Sequence, residues 1–386
     1  MNLSKQCAIV GVGNTAYTRG TDRSTLELHL EASSLALADA GLTTADIDGV
    51  MPSASAGRCA EDFTLNLGLR DLKYSTTVHM GGASLIASIQ NACMAISAGV
   101  ASCVLLPAGR RGYSGERIST GQNVVERVMA DVTEFELPYG NLVAAQWFAQ
   151  AAMRHMHDYG TTSEQLGHVA VACRAHANLN PQALMYGKPL TLEDHQNSRM
   201  ITMPFHLFDC SLESDGAGAL IITSAERARD LAKPAVLVSG VGEAHGYPPT
   251  SLTQKPNVAI VDSLQRASAR AFAMAGITPD DLDCLLIHEG FTWYVLAALE
   301  ALGIVGPGEG GPFVEAGNML LGSKLPINPN GGALSEGHVS GMNHIIEGVR
   351  QLRREVPAQR QVSPCETVAV VNEGNFFDGS VLVLTR

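Results

Sequence analysis

The segment Asn328-Pro329-Asn330-Gly331-Gly332-Ala333-Leu334-Ser335-Glu336-Gly337-His338 holds the residues best placed for chemistry. It ends a strand-like stretch, turns on glycines and delivers His338 at the mouth of a helix expected over about residues 341–354. A histidine held there can donate to a developing oxyanion or move a proton; a helix-capping or core histidine is the plain alternative. An earlier turn of the same kind, His79-Met80-Gly81-Gly82-Ala83-Ser84, opens another helix but carries no cysteine. That helix mouth therefore offers no thiol nucleophile. His288 ends a strand-like run ahead of Gly290-Phe291-Thr292 and suits a base, since free imidazole titrates near about 6.5. Tyr294 lies just beyond, where its phenol could donate or simply fill core. Glu373 could move a proton or be a solvated loop acid. Backbone N–H groups of Gly82, Ala83 and Gly332, at helix starts, can hold an oxyanion whatever their side chains. Arg110 and Arg111 could pair with the phosphates of an anionic cofactor, with surface solvation as the ordinary fate.

The elements that must position these residues occur twice. Ala38-Asp39-Ala40-Gly41-Leu42-Thr43 and Ala273-Met274-Ala275-Gly276-Ile277-Thr278 each follow a helix. The first helix starts on the capping-box pattern of Ser24 and Glu27, the second on a similar pattern from Asp262 to Gln265. Each helix follows a strand and a glycine loop, with Gly11 and Gly13 in one copy, Gly240 and Gly242 in the other. Strand, helix and strand repeated in order imply a duplicated α/β architecture. The helix expected over residues 83–99 is small and apolar all round, so it belongs between the sheets. Strands are expected at 101–106, 217–223, 367–372 and 380–385. Gly11-Val12-Gly13 lacks the third glycine of a dinucleotide fingerprint, and that reading is rejected.

The whole chain sets bounds. Its 386 residues can bury a large core, and 46% hydrophobic with 17% charged residues is a globular composition. A net charge of −12 argues against nucleic acid. The first ten residues run into an apolar strand without a charged-then-apolar pattern, so no secretory signal is expected, and no apolar run reaches the roughly 20 residues of a bilayer span. Eight cysteines without a C-x-x-C pair argue against a zinc site and for buried thiols in a cytoplasmic protein. The expected organisation is an N-terminal half (1–107 with 206–233), an insertion (108–205) forming a lid, substrate wall or oligomer contact, and a C-terminal half (234–386).

In this order, the glycine-entered helix, Ser214-Asp215-Gly216-Ala217-Gly218, His288-Glu289-Gly290-Phe291 and Asn330-Gly331-Gly332 with Gly337-His338 resemble the thiolase superfamily over essentially the entire chain. Residues 186–199 and 347–353 are similar to its lipid-transfer-protein (sterol-carrier-protein-type) thiolases and the steroid side-chain aldolases derived from them. The resemblance implies a thiolase fold, α-β-α-β-α in five layers. In true thiolases the position of Gly82 is the nucleophilic cysteine, and the second catalytic cysteine falls near residues 372–374, where none is present. The steroid aldolases are expected to carry tyrosines where this chain has His288 and His338. A thioester site without a nucleophile suits retro-aldol cleavage of a bulky 3-hydroxyacyl-CoA, with His288 as base and His338 as oxyanion donor or returning acid, or the two roles exchanged. No cofactor is expected beyond CoA as part of the substrate, and no metal. The resemblance further implies a homodimer and a small OB-fold, zinc-ribbon partner. Acyl transfer and a non-catalytic acyl-CoA-binding subunit are the alternatives.

Overall fold

The repeat in the sequence becomes a repeat in sheet topology. A computed structural model describes residues 2–386 apart from 54–56, 116, 118, 120–133, 248–254 and 375–377. Its strands, in chain order, are β1 (Cys7–Asn14), β2 (Gly49–Val50), β3 (Tyr74–Ser75), β4 (Cys103–Arg111), β5 (Met200–Thr202), β6 (Phe205–His206), β7 (Asp215–Ser224), β8 (Val236–Ala244), β9 (Cys284–His288), β10 (Thr367–Glu373) and β11 (Gly379–Thr385). Among the described residues, nine form one sheet in the order β3-β2-β4-β7-β1-β8-β11-β10-β9. The run β2-β4-β7-β1 matches β9-β10-β11-β8 strand for strand. The first pair in each run is parallel and the next two pairs are antiparallel. β1 and β8 meet antiparallel at the join.

The longer helices are α1 (Thr25–Ala40), α2 (Ser84–Ser97), α3 (Ala144–Tyr159), α4 (Ser163–Ala177), α5 (Asp262–Ala275), α6 (Thr292–Ala301) and α7 (Met342–Arg353). Three apolar clusters define the five layers. One packs α1 on the outer face of the first half-sheet. The second joins α2 and α7 to both half-sheets, and the third packs α5 and α6 on the far face of the second. The helix over 83–99 thus lies in the middle layer, where an all-round apolar surface finds partners on every side.

Local chemistry explains the matched boundaries. Ser24 and Glu27 form the expected capping box on α1. Gly41 and Gly276 end α1 and α5 at φ 68° and 71°, left-handed values that glycine adopts without strain. Two expectations are corrected. Val261, not Asp262, is the N-cap of α5; Asp262 lies in the first turn and pairs with Arg266 at 2.9 Å. The glycines of β1 and β8 lie inside strands, not in loops. A Cβ on Gly13 would meet the Ala36 amide and the Ala32 carbonyl of α1, and one on Gly242 would overlap the Ala267 carbonyl of α5. Gly242→Ala is therefore expected to cost about 1–3 kcal/mol, read as a lower urea midpoint at unchanged m-value.

β4 runs on to Arg111, past its expected end, because it pairs with β7 as far as Asp215. Of the expected insertion, residues 116, 118 and 120–133 lie outside the described residues. Its helices α3 and α4 share a core with the C-terminal half. Trp147, Phe148 and Leu166 cluster with Phe291, Trp293 and Leu296, and the Phe148 and Phe291 rings lie 5.0 Å apart.

Candidate active site

Two segments distant in sequence are clamped so that their histidines meet. β9 ends at His288, beside Asn372 of the parallel strand β10. The turn that carries His338 is zipped to β9 by Asn328. Its Oδ1 accepts the Ile287 N–H at 2.8 Å, and its Nδ2 donates to the Ile287 carbonyl and to Glu289 Oε2, both at 2.9 Å. Glu289, fully buried, also accepts the Leu334 N–H at 3.1 Å and a bond from His344 Nε2 at 3.0 Å. Ser214 grips the backbone of His338 on both sides, accepting its N–H at 2.8 Å and donating to its carbonyl at 3.1 Å. With both chains fixed, Nε2 of His288 lies 3.0 Å from Nε2 of His338. One ring must carry the shared proton and the other accept it. Nδ1 of His338 is 3.1 Å from the Ser211 hydroxyl, while Nδ1 of His288 is buried without a partner.

Burial, the second ring of the pair and nearby positive charge all oppose protonation. His288 is lowered to about 3, chiefly by desolvation, then by His344 and Arg110. His338 is lowered well below 6.5 by desolvation, then by His288, Arg110 and His344. Both rings are thereby disposed to the neutral form, in which each has one bare nitrogen, and a proton taken by either is held only as long as its neighbours share the charge. His29 and His176, buried elsewhere, are lowered to about 4 by desolvation. All four titrate near 6.5 when unfolded, so below about pH 6.5 the unfolded chain binds protons that the folded chain refuses, and stability falls with pH down to the folded values. Glu336, Glu373 and Asp378, raised by desolvation, run the opposite way, but they are three carboxyls against four rings. The urea midpoint is expected to be lower at about pH 5 than at about pH 7.

The other expected site residues divide. Gly82 faces the pair: a Cβ there would overlap the Glu373 carbonyl and lie 3.0 Å from Cε1 and 3.1 Å from Nδ1 of His288. The ring of His288 occupies the room a side chain at position 82 would need. Glu373 and Tyr294 are both buried, each with an unpartnered oxygen. Burial pushes the Glu373 carboxyl and the Tyr294 phenol well above their usual ranges, and Glu373 adds to the shift of Tyr294. Burial thus favours the protonated form of both.

Two backbone donors are corrected. The Ala83 N–H is taken by the Met80 carbonyl at 3.1 Å, closing the tight turn that starts α2. The Gly332 N–H goes to Asn330 Oδ1 at 3.3 Å, and Gly332 (φ 62°) leaves space for the Glu289 carboxylate, which a Cβ would overlap. The two arginines cannot form one clamp, because adjacent strand residues point to opposite faces. The charge of Arg110 reaches both histidines, whereas Arg111 donates to the Thr21 carbonyl at 3.3 Å. Sequence reading missed His344, Ser211 and the anchoring role of Glu289. Strand alternation offered one signal, since Glu289 must point away from His288, toward the turn.

Residues 244–386 match the thiolase C-terminal domain-like family. A steroid side-chain-cleaving aldolase of Thermomonospora curvata is 39% identical over 91% of this chain and 91% of its own length. The 17-hydroxy-3-oxo-4-pregnene-20-carboxyl-CoA lyase of Mycobacterium tuberculosis is also 39% identical, over 91% of this chain and 92% of its own. The chain belongs to the thiolase superfamily, in the group that holds the sterol-carrier-protein-type thiolases and the steroid side-chain aldolases. A solved structure, the Ltp2-ChsH2(DUF35) aldolase, superposes with a TM-score of 0.93 at 37% identity, covering 100% of this chain and 99% of that one. Among the described residues no helix is long and apolar enough to cross a membrane, and no group of three or more His, Cys, Asp or Glu side chains is arranged to hold a metal.

Proposed function

We propose that this thiolase-superfamily member is a carbon–carbon lyase that cleaves a bulky, steroid-like 3-hydroxyacyl-CoA by a retro-aldol reaction, without a covalent acyl-enzyme. One observation carries the mechanism: the His288 ring, with Nδ1 unpartnered, lies against Gly82, where the resemblance to thiolases would put a nucleophile. The β-hydroxyl gives its proton to His288 Nδ1. Its oxygen becomes the carbonyl of a departing ketone or aldehyde as the Cα–Cβ bond breaks. The bonding pair moves into the thioester as an enolate, and Cα then takes a proton to leave a short acyl-CoA. Glu373 and Tyr294, both pushed toward the protonated form by burial, are suited to donate to the enolate and to return that proton.

CoA enters as part of the substrate, and Arg110 adds positive charge beside the reacting atoms. The reading includes a homodimer and a small OB-fold, zinc-ribbon partner. The likeness to an Ltp2-ChsH2(DUF35) aldolase supports the partner. The test is mass spectrometry of the products from a tertiary 3-hydroxyacyl-CoA, with the small partner present. Equal amounts of ketone and shortened acyl-CoA are expected, with no mass added to the protein. An acylated protein would point to acyl transfer, and the absence of turnover to a binding subunit.

A further inference from the structure

The histidine pair leaves one question that its rings alone do not answer. In a neutral pair bridged Nε2 to Nε2, two proton arrangements satisfy the bridge. In one, His288 carries the Nε2 proton, so its Nδ1 is bare; His338 accepts at Nε2 and carries its own proton on Nδ1. In the other, His338 donates across the bridge and His288 carries its proton on Nδ1. Only the first leaves a lone pair at the Gly82 position. In the second, the N–H on His288 Nδ1 would be buried without an acceptor; the first avoids that orphan but requires an acceptor for the proton on Nδ1 of His338.

Ser211 sits there, with its hydroxyl 3.1 Å from Nδ1. Its own N–H is tied to the Gly290 carbonyl at 2.9 Å, so it is strapped to the chain leaving β9, two residues from His288. The Ser214 hydroxyl fixes the His338 backbone from the other side. Ser211 and the two rings therefore form one rigid line.

We infer that Ser211 is a positioning residue for the proposed base: by accepting the Nδ1 proton of His338 it fixes the tautomers of both rings and keeps His288 Nδ1 unprotonated at the site of the missing nucleophile. The line then works as a relay. When His288 Nδ1 takes the substrate proton, the Nε2 proton moves to His338, and positive charge is shared between two rings instead of being held on one. The extra proton then leaves through Nδ1 of His288 to restore whichever of Glu373 and Tyr294 protonated Cα, so that overall one proton passes from the β-hydroxyl to Cα and no other reactant is needed. This role deepens the proposed lyase reaction and rests on it.

The test joins a tautomer measurement to kinetics. Ring-¹⁵N-histidine protein is compared as wild type, Ser211→Ala and Ser211→Thr, with His288→Gln and His338→Gln assigning the resonances. Wild type is expected to show His288 protonated at Nε2 and His338 at Nδ1. Ser211→Ala, which takes the acceptor from His338 Nδ1–H, is expected to populate the opposite tautomers of both rings alongside the first and to lower kcat about 10–100-fold at nearly constant KM. Ser211→Thr, which restores a hydroxyl, is expected to restore both readouts. Wild-type rings in the opposite tautomers, or Ser211→Ala rings unchanged from wild type, would overturn the inference. Should wild type cleave no 3-hydroxyacyl-CoA, the proposed reaction fails, and the nitrogen resonances still decide what Ser211 does.

Discussion

Replacing His288 with alanine is expected to lower kcat/KM toward a tertiary 3-hydroxyacyl-CoA by about 10²–10⁴-fold, the usual worth of a positioned acid–base group. The change removes the unpartnered Nδ1 beside Gly82 and strands His338 Nε2 in a buried site. His338→Ala is expected to fall within the same range, because His288 loses the acceptor for its Nε2 proton. The double variant should lose little more than either single one, since the rings act as one unit. Steady-state rates on all three proteins, each shown folded by thermal unfolding, test this. Losses that multiply would mean two independent groups, and unchanged rates would remove the mechanism.

Gly82→Cys is expected to abolish lyase activity without creating a thiolase. The new Cβ would overlap the Glu373 carbonyl and press on His288 Cε1, so either β10 or the ring must shift. Such overpacking costs about 1–3 kcal/mol, and it displaces the proposed base. The second thiolase cysteine is absent as well, leaving no thiol to complete acyl transfer. Intact-mass analysis after incubation with a 3-ketoacyl-CoA should show no acylated protein, and the melting temperature should drop. A stable acyl adduct on the introduced thiol would show that the pocket keeps room for a nucleophile and would contradict the packing around His288.

Much of this was legible in the sequence. The Ala-Gly-(Leu/Ile)-Thr turns marked both helix ends because a left-handed glycine cap is a local demand, met by one residue type. His288 and His338 stood out because each closes a strand-like segment on a glycine turn. Sequence reading failed where a residue's role depends on what lies across the fold. Gly332 looked like an oxyanion donor, yet Asn330 holds its N–H and Glu289 fills the space at its Cα. Arg110 and Arg111 looked like one basic pair, yet they lie on opposite faces of β4.

His344 and Ser211 belong to the same class of miss. Neither sits in a distinctive local pattern, and each matters through a partner 55 or 127 positions away. The sequence by itself determined the duplicated α/β halves, their turns, the missing nucleophile and the two imidazoles, because these follow from residue type and short-range spacing. Only the tertiary structure decided that the imidazoles face each other Nε2 to Nε2, that burial disfavours charge on both and that one lies against Gly82. Those properties arise from burial and from hydrogen-bond contacts between distant segments, which no local pattern encodes.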